Sequence, residues 1–208
     1  LMPGDLTIAR HWQPHRVGNP SITASRLHFL IIDVGVRRPH QAWAWPSCVS
    51  LTESDRKEIT TFIRHTKQVV WHAGSPVQRC FERIGHTVEK DRSGSHISLL
   101  TVYLNELLVR LLEMFRCKHV HLDESLGSAQ QTVELFWVDV ASHVDRLAEP
   151  WTVKKMARRC GVSVSQFIQF SKRLYNRTPN KQLNRLRVEQ AARLLADQPE
   201  RTVPDIAL

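Results

Sequence analysis

Residues 152–176 read TVKKMARRCGVSVSQFIQFSKRLYN, and no other segment constrains the fold as tightly. Two helices that cross through a turn at Gly161 impose six requirements on their neighbours. The position four before the glycine, where the helices approach most closely, must be small, and it is Ala157. The positions five and one before it must be apolar, and they are Met156 and Cys160. The positions one, six and nine after it must also be apolar, and they are Val162, Phe167 and Phe170. Gly161 itself allows the left-handed backbone that a tight interhelix turn needs. The pattern predicts a helix-turn-helix, a motif whose second helix can enter the DNA major groove.

Charge is distributed unevenly along the chain. Residues 151–208 hold 12 Lys and Arg against 4 Asp and Glu, whereas residues 1–150 are close to neutral, with 17 basic and 16 acidic residues. A basic C-terminal module on a balanced body suits phosphate neutralisation.

The flanking sequence extends the helical reading. Ser163 and Gln166 stand at capping-box spacing, Asn176 suits a left-handed helix end, and Thr178-Pro179 opens a further helix to about Asp197. A helix over Thr132–Leu147 precedes the motif. Asp123–Gln130 (DESLGSAQ) is polar, contains Gly and reads as a linker. Thr202-x-x-Asp205 begins one more helix, in which Ile206-Ala207 repeats the Met156-Ala157 signal 50 residues later. The expectation is a second, truncated helix-turn-helix.

Upstream, helical patterns cover about Glu53–Thr66, Val77–Lys90 and Ser95–Arg116. Within Ile97–Phe115, Asn105, Glu106, Arg110 and Glu113 make membrane insertion costly, so no membrane partner is expected. Leu100, Leu104, Leu107, Leu108, Leu111, Leu112 and Phe115 form one stripe, either packed on its own domain or shared with a second subunit. Before residue 50 the pattern is β-like, with Leu6–Ala9 and above all Arg26–Val36 (RLHFLIIDVGV) as strands. Cysteines 48, 80, 117 and 160 are far apart and form no C-x-x-C pair. This fits a reducing cytosol, and the expected location is cytoplasmic.

The run from Thr152 through LNRLRVEQAARLL (Leu183–Leu195) to TVPDIAL resembles the AraC/XylS family of bacterial transcription regulators. One position departs from it: Ser171 stands where the family usually has Phe. The N-terminal segment resembles the second half of a cupin-type sensing domain, G-x5-P-x-G-x2-H-x3-N. Gly4, His15 and Asn19 are in place, while Arg10 and Trp12 replace the Pro and second Gly. The resemblance implies an α+β chain: a partial cupin-like β-barrel over 1–50, a helical dimerisation or connecting region over 51–122, and an AraC-type helix-turn-helix domain over 131–208. It further implies a sequence-specific DNA-binding regulator controlled by an unknown small-molecule effector. The implied partners are double-stranded DNA, a second copy in a homodimer and, as an open further one, RNA polymerase.

With Phe167, Phe170 and Leu174 inward, Ser165, Ile168, Gln169 and Lys172 share the outward face of the second helix. They are the candidate base contacts: Gln169 for adenine, Ser165 for either base type, Ile168 for a thymine methyl, Lys172 for guanine or phosphate. Arg173, Arg177, Lys181 and Arg185 are the candidate phosphate contacts, which set affinity and not sequence choice. His15 and Trp12 are the candidate effector contacts. Pro14 separates His11 from His15, and Cys117-x-His119-x-His121 lines one face only in an extended strand, so no metal is expected. Trp43, Trp45 and Trp71 are expected in the core. No nucleophile–base arrangement supports catalysis, and no cofactor is expected. The rival readings are a cupin-type metal enzyme and an interaction module without specific DNA binding.

Overall fold

The computed structural model describes residues 4–13, 26–91, 93–118, 120–198, 200 and 202. The chain divides into two compact units, Leu1–Gly127 and Ser128–Leu208. The division falls inside the polar DESLGSAQ stretch, between a 3₁₀ turn (Glu124–Gly127) and the Ser128 cap of the next helix.

In unit 1, strand β1 (Asp5–Thr7) pairs antiparallel with β2 (Val70–His72), with Leu6 opposite Trp71. Three helices accompany them: α1 (Glu53–His65), α2 (Ser75–Lys90) and α3 (Ile97–Cys117). Helix α1 starts at Thr52, whose side chain accepts from the Asp55 amide, and carries Glu53 and Asp55 in its first turn, where acidic groups favour the helix dipole. Pro76 suits the first turn of α2. On α3, Leu107, Leu108, Leu111, Leu112 and Phe115 are buried and meet Ile59, Trp71, Val77 and Cys80. These five of the seven stripe residues therefore pack on their own unit. Each such side chain contributes roughly 1.5–3 kcal/mol on burial. Leu6, Ile8, Ile32, Trp45 and Val49 join the same core, so the N-terminal segment and the helices share one interior. Trp71 lies within it, and Trp43 tilts against Trp45 at 5.7 Å.

The described residues of 1–50 do not form the expected cupin-like barrel. Among the described residues the only sheet is the two-stranded pair of three-residue strands. Arg26–Val36 belongs to no strand; Ala44 donates to its Val34 carbonyl, and Leu27, Phe29 and Ile31 face outward and are exposed. Apolar β-branched composition reports fitness for a pleated surface, and a strand exists only where a neighbouring strand completes its ladder. Arg10, at the expected barrel-motif proline, instead has its Nη1 donate to the carbonyls of Arg64 (3.1 Å) and Thr66 (2.8 Å) at the end of α1. Positively charged donors suit the free carbonyls of a helix end.

Unit 2 contains α4 (Ala129–Ser142), α5 (Val144–Ala148), α6 (Val153–Cys160), α7 (Val164–Tyr175) and α8 (Pro179–Asp197). The single helix expected over Thr132–Leu147 is two. His143 adopts an extended backbone, and its Nδ1 lies 2.8 Å from the Asp139 carbonyl. The Ser142 hydroxyl donates to the Val138 carbonyl. Such local side-chain bonds compete with the helical ladder. The break lets Leu147 enter a core with Val133, Phe136, Trp137, Val140, Trp151, Met156, Phe167 and Leu183. Phe136 organises it, meeting Trp137, Trp151 and Phe167 edge-on at centroid distances of 5.3, 5.2 and 5.6 Å. Edge-to-face pairs add about 0.5–1.5 kcal/mol each beyond their burial. The expected second motif at 203–208 lies outside the described residues.

Candidate nucleic-acid interface

The turn between α6 and α7 is closed by its own backbone and caps. Thr152 caps α6 by accepting from the Lys155 amide. Gly161 is left-handed at φ 67°, ψ 33°. Its N–H donates to the Arg158 carbonyl at 3.0 Å, and the Val162 N–H donates to the Ala157 carbonyl at 3.1 Å. This pair of bonds is a Schellman ending, which satisfies carbonyls that a helix terminus would leave bare. Two residues later Ser163 and Gln166 form a reciprocal capping box at 3.1 and 3.2 Å. The six patterned side chains take their required places: Met156, Ala157, Cys160 and Phe167 are buried, and Val162 and Phe170 pack against them half-buried. Helix α7 ends at Asn176, left-handed at φ 52°.

This packing leaves one face of α7 outward. Ser165, Gln169 and Lys172 are exposed, and Ile168 is partly buried beside them. Their spacing of three and four residues puts all four on a single stripe. The expected phosphate contacts are more varied. Arg173 is exposed, and its Nη1 donates to Gln130 Oε1 at 3.2 Å, so the first turn of α4 orients it. The exposed Arg177 has its Nη1 on the Tyr175 carbonyl at 3.1 Å. Lys181 is exposed near the start of α8. Arg185 is ion-paired with Glu189 one turn on, and a phosphate would have to displace that carboxylate. Of the two candidate effector residues only Trp12 is among the described residues. Trp12 is partly buried in a turn in which the Gln13 amide donates to the Arg10 carbonyl, and His15 lies outside the described residues.

Three supporting residues escape the sequence pattern. Ser171 is fully buried, and Trp137 Nε1 donates to its hydroxyl at 3.1 Å. The indole of Trp137 thus occupies the ground beneath α7 that a Phe at 171 would claim. The unusual serine was the signal, and its partner lies 34 residues away. Gln130, which orients Arg173, gave no signal. Arg187 gave none either: its guanidinium donates to the Leu147 and Glu149 carbonyls at 2.8 and 2.9 Å, fastening α8 to the end of α5. Lys155 is likewise committed to structure. It pairs with Glu149 at 3.0 Å and lies 4.8 Å from the centre of the Trp151 ring. Its hydrogen bond holds the Glu149 carboxyl below its ordinary value, whereas burial raises the Tyr175 phenol.

Among the described residues, no group of three or more His, Cys, Asp or Glu could hold a metal ion. No described helix is long and apolar enough to cross a membrane. No protein-family model matches the chain, and neither a curated protein nor a solved structure is detectably similar to it.

Proposed function

We propose that unit 2 is a sequence-reading DNA-binding domain of the AraC/XylS type and that the chain is a cytoplasmic transcription regulator. In this reading it acts as a homodimer, with a small-molecule effector acting on unit 1. The observation that carries the reading is the joining of two features at one place. The α6–α7 turn is closed by caps at every step, and the stripe it turns outward is polar and exposed: Ser165, Gln169 and Lys172. The excess of basic residues in 151–208 supports it. A rigid helix bearing an amide and an ammonium suits the donor and acceptor edges of the major groove. Arg173, Arg177 and Lys181 supply sequence-independent attraction to phosphates, and Arg185 does so at the cost of its Glu189 pair.

A competition titration with duplexes selected from a random pool tests this. Gln169→Ala should erase discrimination at one or two base positions, each worth about 1–3 kcal/mol, and leave non-specific affinity nearly unchanged. Arg177→Ala should weaken binding to every duplex and reduce the log–log salt slope by about 1. Equal affinity for all sequences, untouched by Gln169→Ala, would sink the proposal.

A further inference from the structure

The segment that joins the two units does not run free along unit 1. It is docked, strand-like and then as a 3₁₀ turn, on the C-terminal end of α1. Leu122 forms an antiparallel bridge with Thr66. The Asp123 amide donates to the His65 carbonyl at 2.7 Å, and the Asp123 carboxylate pairs with Lys67 at 2.7 Å. The Arg64 Nη2 donates to the Gly127 carbonyl at 3.1 Å. Gly127 is buried, and the fit there is close: a Cβ on it would stand 2.6 Å from His65 Cε1 and 2.7 Å from Arg64 Nε. The next residue, Ser128, caps α4 and opens unit 2.

Two residues at this end of α1, Arg64 and its C-cap Thr66, are held from another segment as well. Arg10 donates to the carbonyls of Arg64 and Thr66, and its Nε bonds Gln13, across the turn that holds Trp12. The end of α1 therefore ties the N-terminal segment and the connector to one another. The docked state is also incompletely satisfied. Arg64 Nε and His65 Nδ1 are buried at this contact with no hydrogen-bond partner. Undocking would return both to water, which offsets part of what the bonds to Asp123 and Gly127 contribute. A contact with good bonds and two unmet groups is suited to opening and closing, because the unmet groups narrow the gap between the two states.

We infer that the connector 120–127 is a releasable latch on the end of α1, and that its release changes the DNA affinity of unit 2. The second half rests on the DNA-binding reading above; the first half does not. Gly127→Ala is the sharpest variant, since its Cβ would push the Arg64 and His65 side chains out of this contact without removing any polar group, and its backbone is not left-handed. Asp123→Asn weakens the Lys67 tie independently, and Arg10→Ala releases the far side.

The full chain is the test object. Hydrogen exchange at the Asp123 amide and cleavage after Glu124 by a glutamate-specific protease read the latch. Binding of a selected duplex reads the coupling. Gly127→Ala and Asp123→Asn should each speed Asp123 exchange at least tenfold and expose Glu124, with helical content unchanged. Both should shift duplex affinity at least threefold in the same direction, and Arg10→Ala should follow them. Unchanged Asp123 exchange in Gly127→Ala overturns the latch. A loosened latch with wild-type duplex affinity overturns the coupling. A wild-type chain that binds no duplex overturns the DNA reading and the coupling together, while the exchange result still decides the latch.

Discussion

The helix-turn-helix of unit 2 and the loops of unit 1 are closed by different kinds of bond. In unit 2 the ends of α6 and α7 are satisfied by groups within five residues: Thr152, Gly161, Val162, Ser163 and Gln166. Unit 1 depends on ties between distant segments. Arg10 reaches Arg64 across 54 residues, Asn105 reaches the Cys48 carbonyl across 57, and Arg116 reaches Glu58 across 58. Local closure forms early and survives isolation, whereas distant closure carries a larger loop entropy before any bond rewards it. On the proposed DNA-binding reading, the contrast suits a division of labour in which unit 2 keeps a fixed shape and unit 1 is able to shift.

Four measurements break or sharpen this contrast. The largest effect should come from Phe167→Ala, which removes a fully buried ring facing Phe136 and Trp137. The expected loss is about 3–5 kcal/mol, confined to unit 2. Urea titration followed residue by residue should show unit 1 melting at its old midpoint; a joint shift would mean the two units unfold as one.

Asn105→Ala is the counterpart in unit 1. The Asn105 side chain accepts from the Ser50 amide at 2.6 Å and donates to the Cys48 carbonyl at 2.8 Å, holding the loop before α1 on α3. Its loss should cost about 1–3 kcal/mol and speed hydrogen exchange at Ser50. If only α3 responds, the long-range tie is not what secures the loop.

Gly161→Ala forces a side chain into the left-handed region and should cost about 1–2 kcal/mol. Thermal melts of unit 2 would show it, and an unchanged melt would mean that the turn is less rigid than its bonds suggest.

Acid should give the smallest change. The carboxyls of Asp33, Asp91 and Asp123 are held down to about 2, by the Arg37 side chain, the His96 amide and the Lys67 ammonium respectively. All three belong to unit 1. A lowered folded-state value means that their stabilisation is complete above the unfolded value of about 3.9 and fades as pH falls toward 2. Unit 1 should therefore loosen first between pH 4 and pH 2 in a circular-dichroism or exchange titration. Earlier loss of unit 2 would contradict the assignment.

The same local-against-distant contrast explains what was legible in the sequence. The caps at Ser163 and Asn176 and the buried set around Ala157 act over a few residues, so spacing alone exposed them. The outward stripe on α7 then came by subtraction. Arg26–Val36 misled because its composition is that of a strand, while the partner a strand needs is not written in its own residues. Thr132–Leu147 misled because the break at His143 comes from side chains bonding backward to Val138 and Asp139. The end of α1 was invisible because Arg10, Arg64, Asp123 and Gly127 become neighbours only through the fold.

The hydrogen bond from Trp137 to Ser171 has a consequence for ancestry. One site is large because the other is small, and the small one is also the acceptor that the indole requires. A bulky ring at 171 would press on the Trp137 indole, and a smaller residue at 137 would leave a gap above the Ser171 hydroxyl. The two positions, on different helices, should be inherited as a pair. Relatives that carry a large residue at 171 should carry a smaller one at 137.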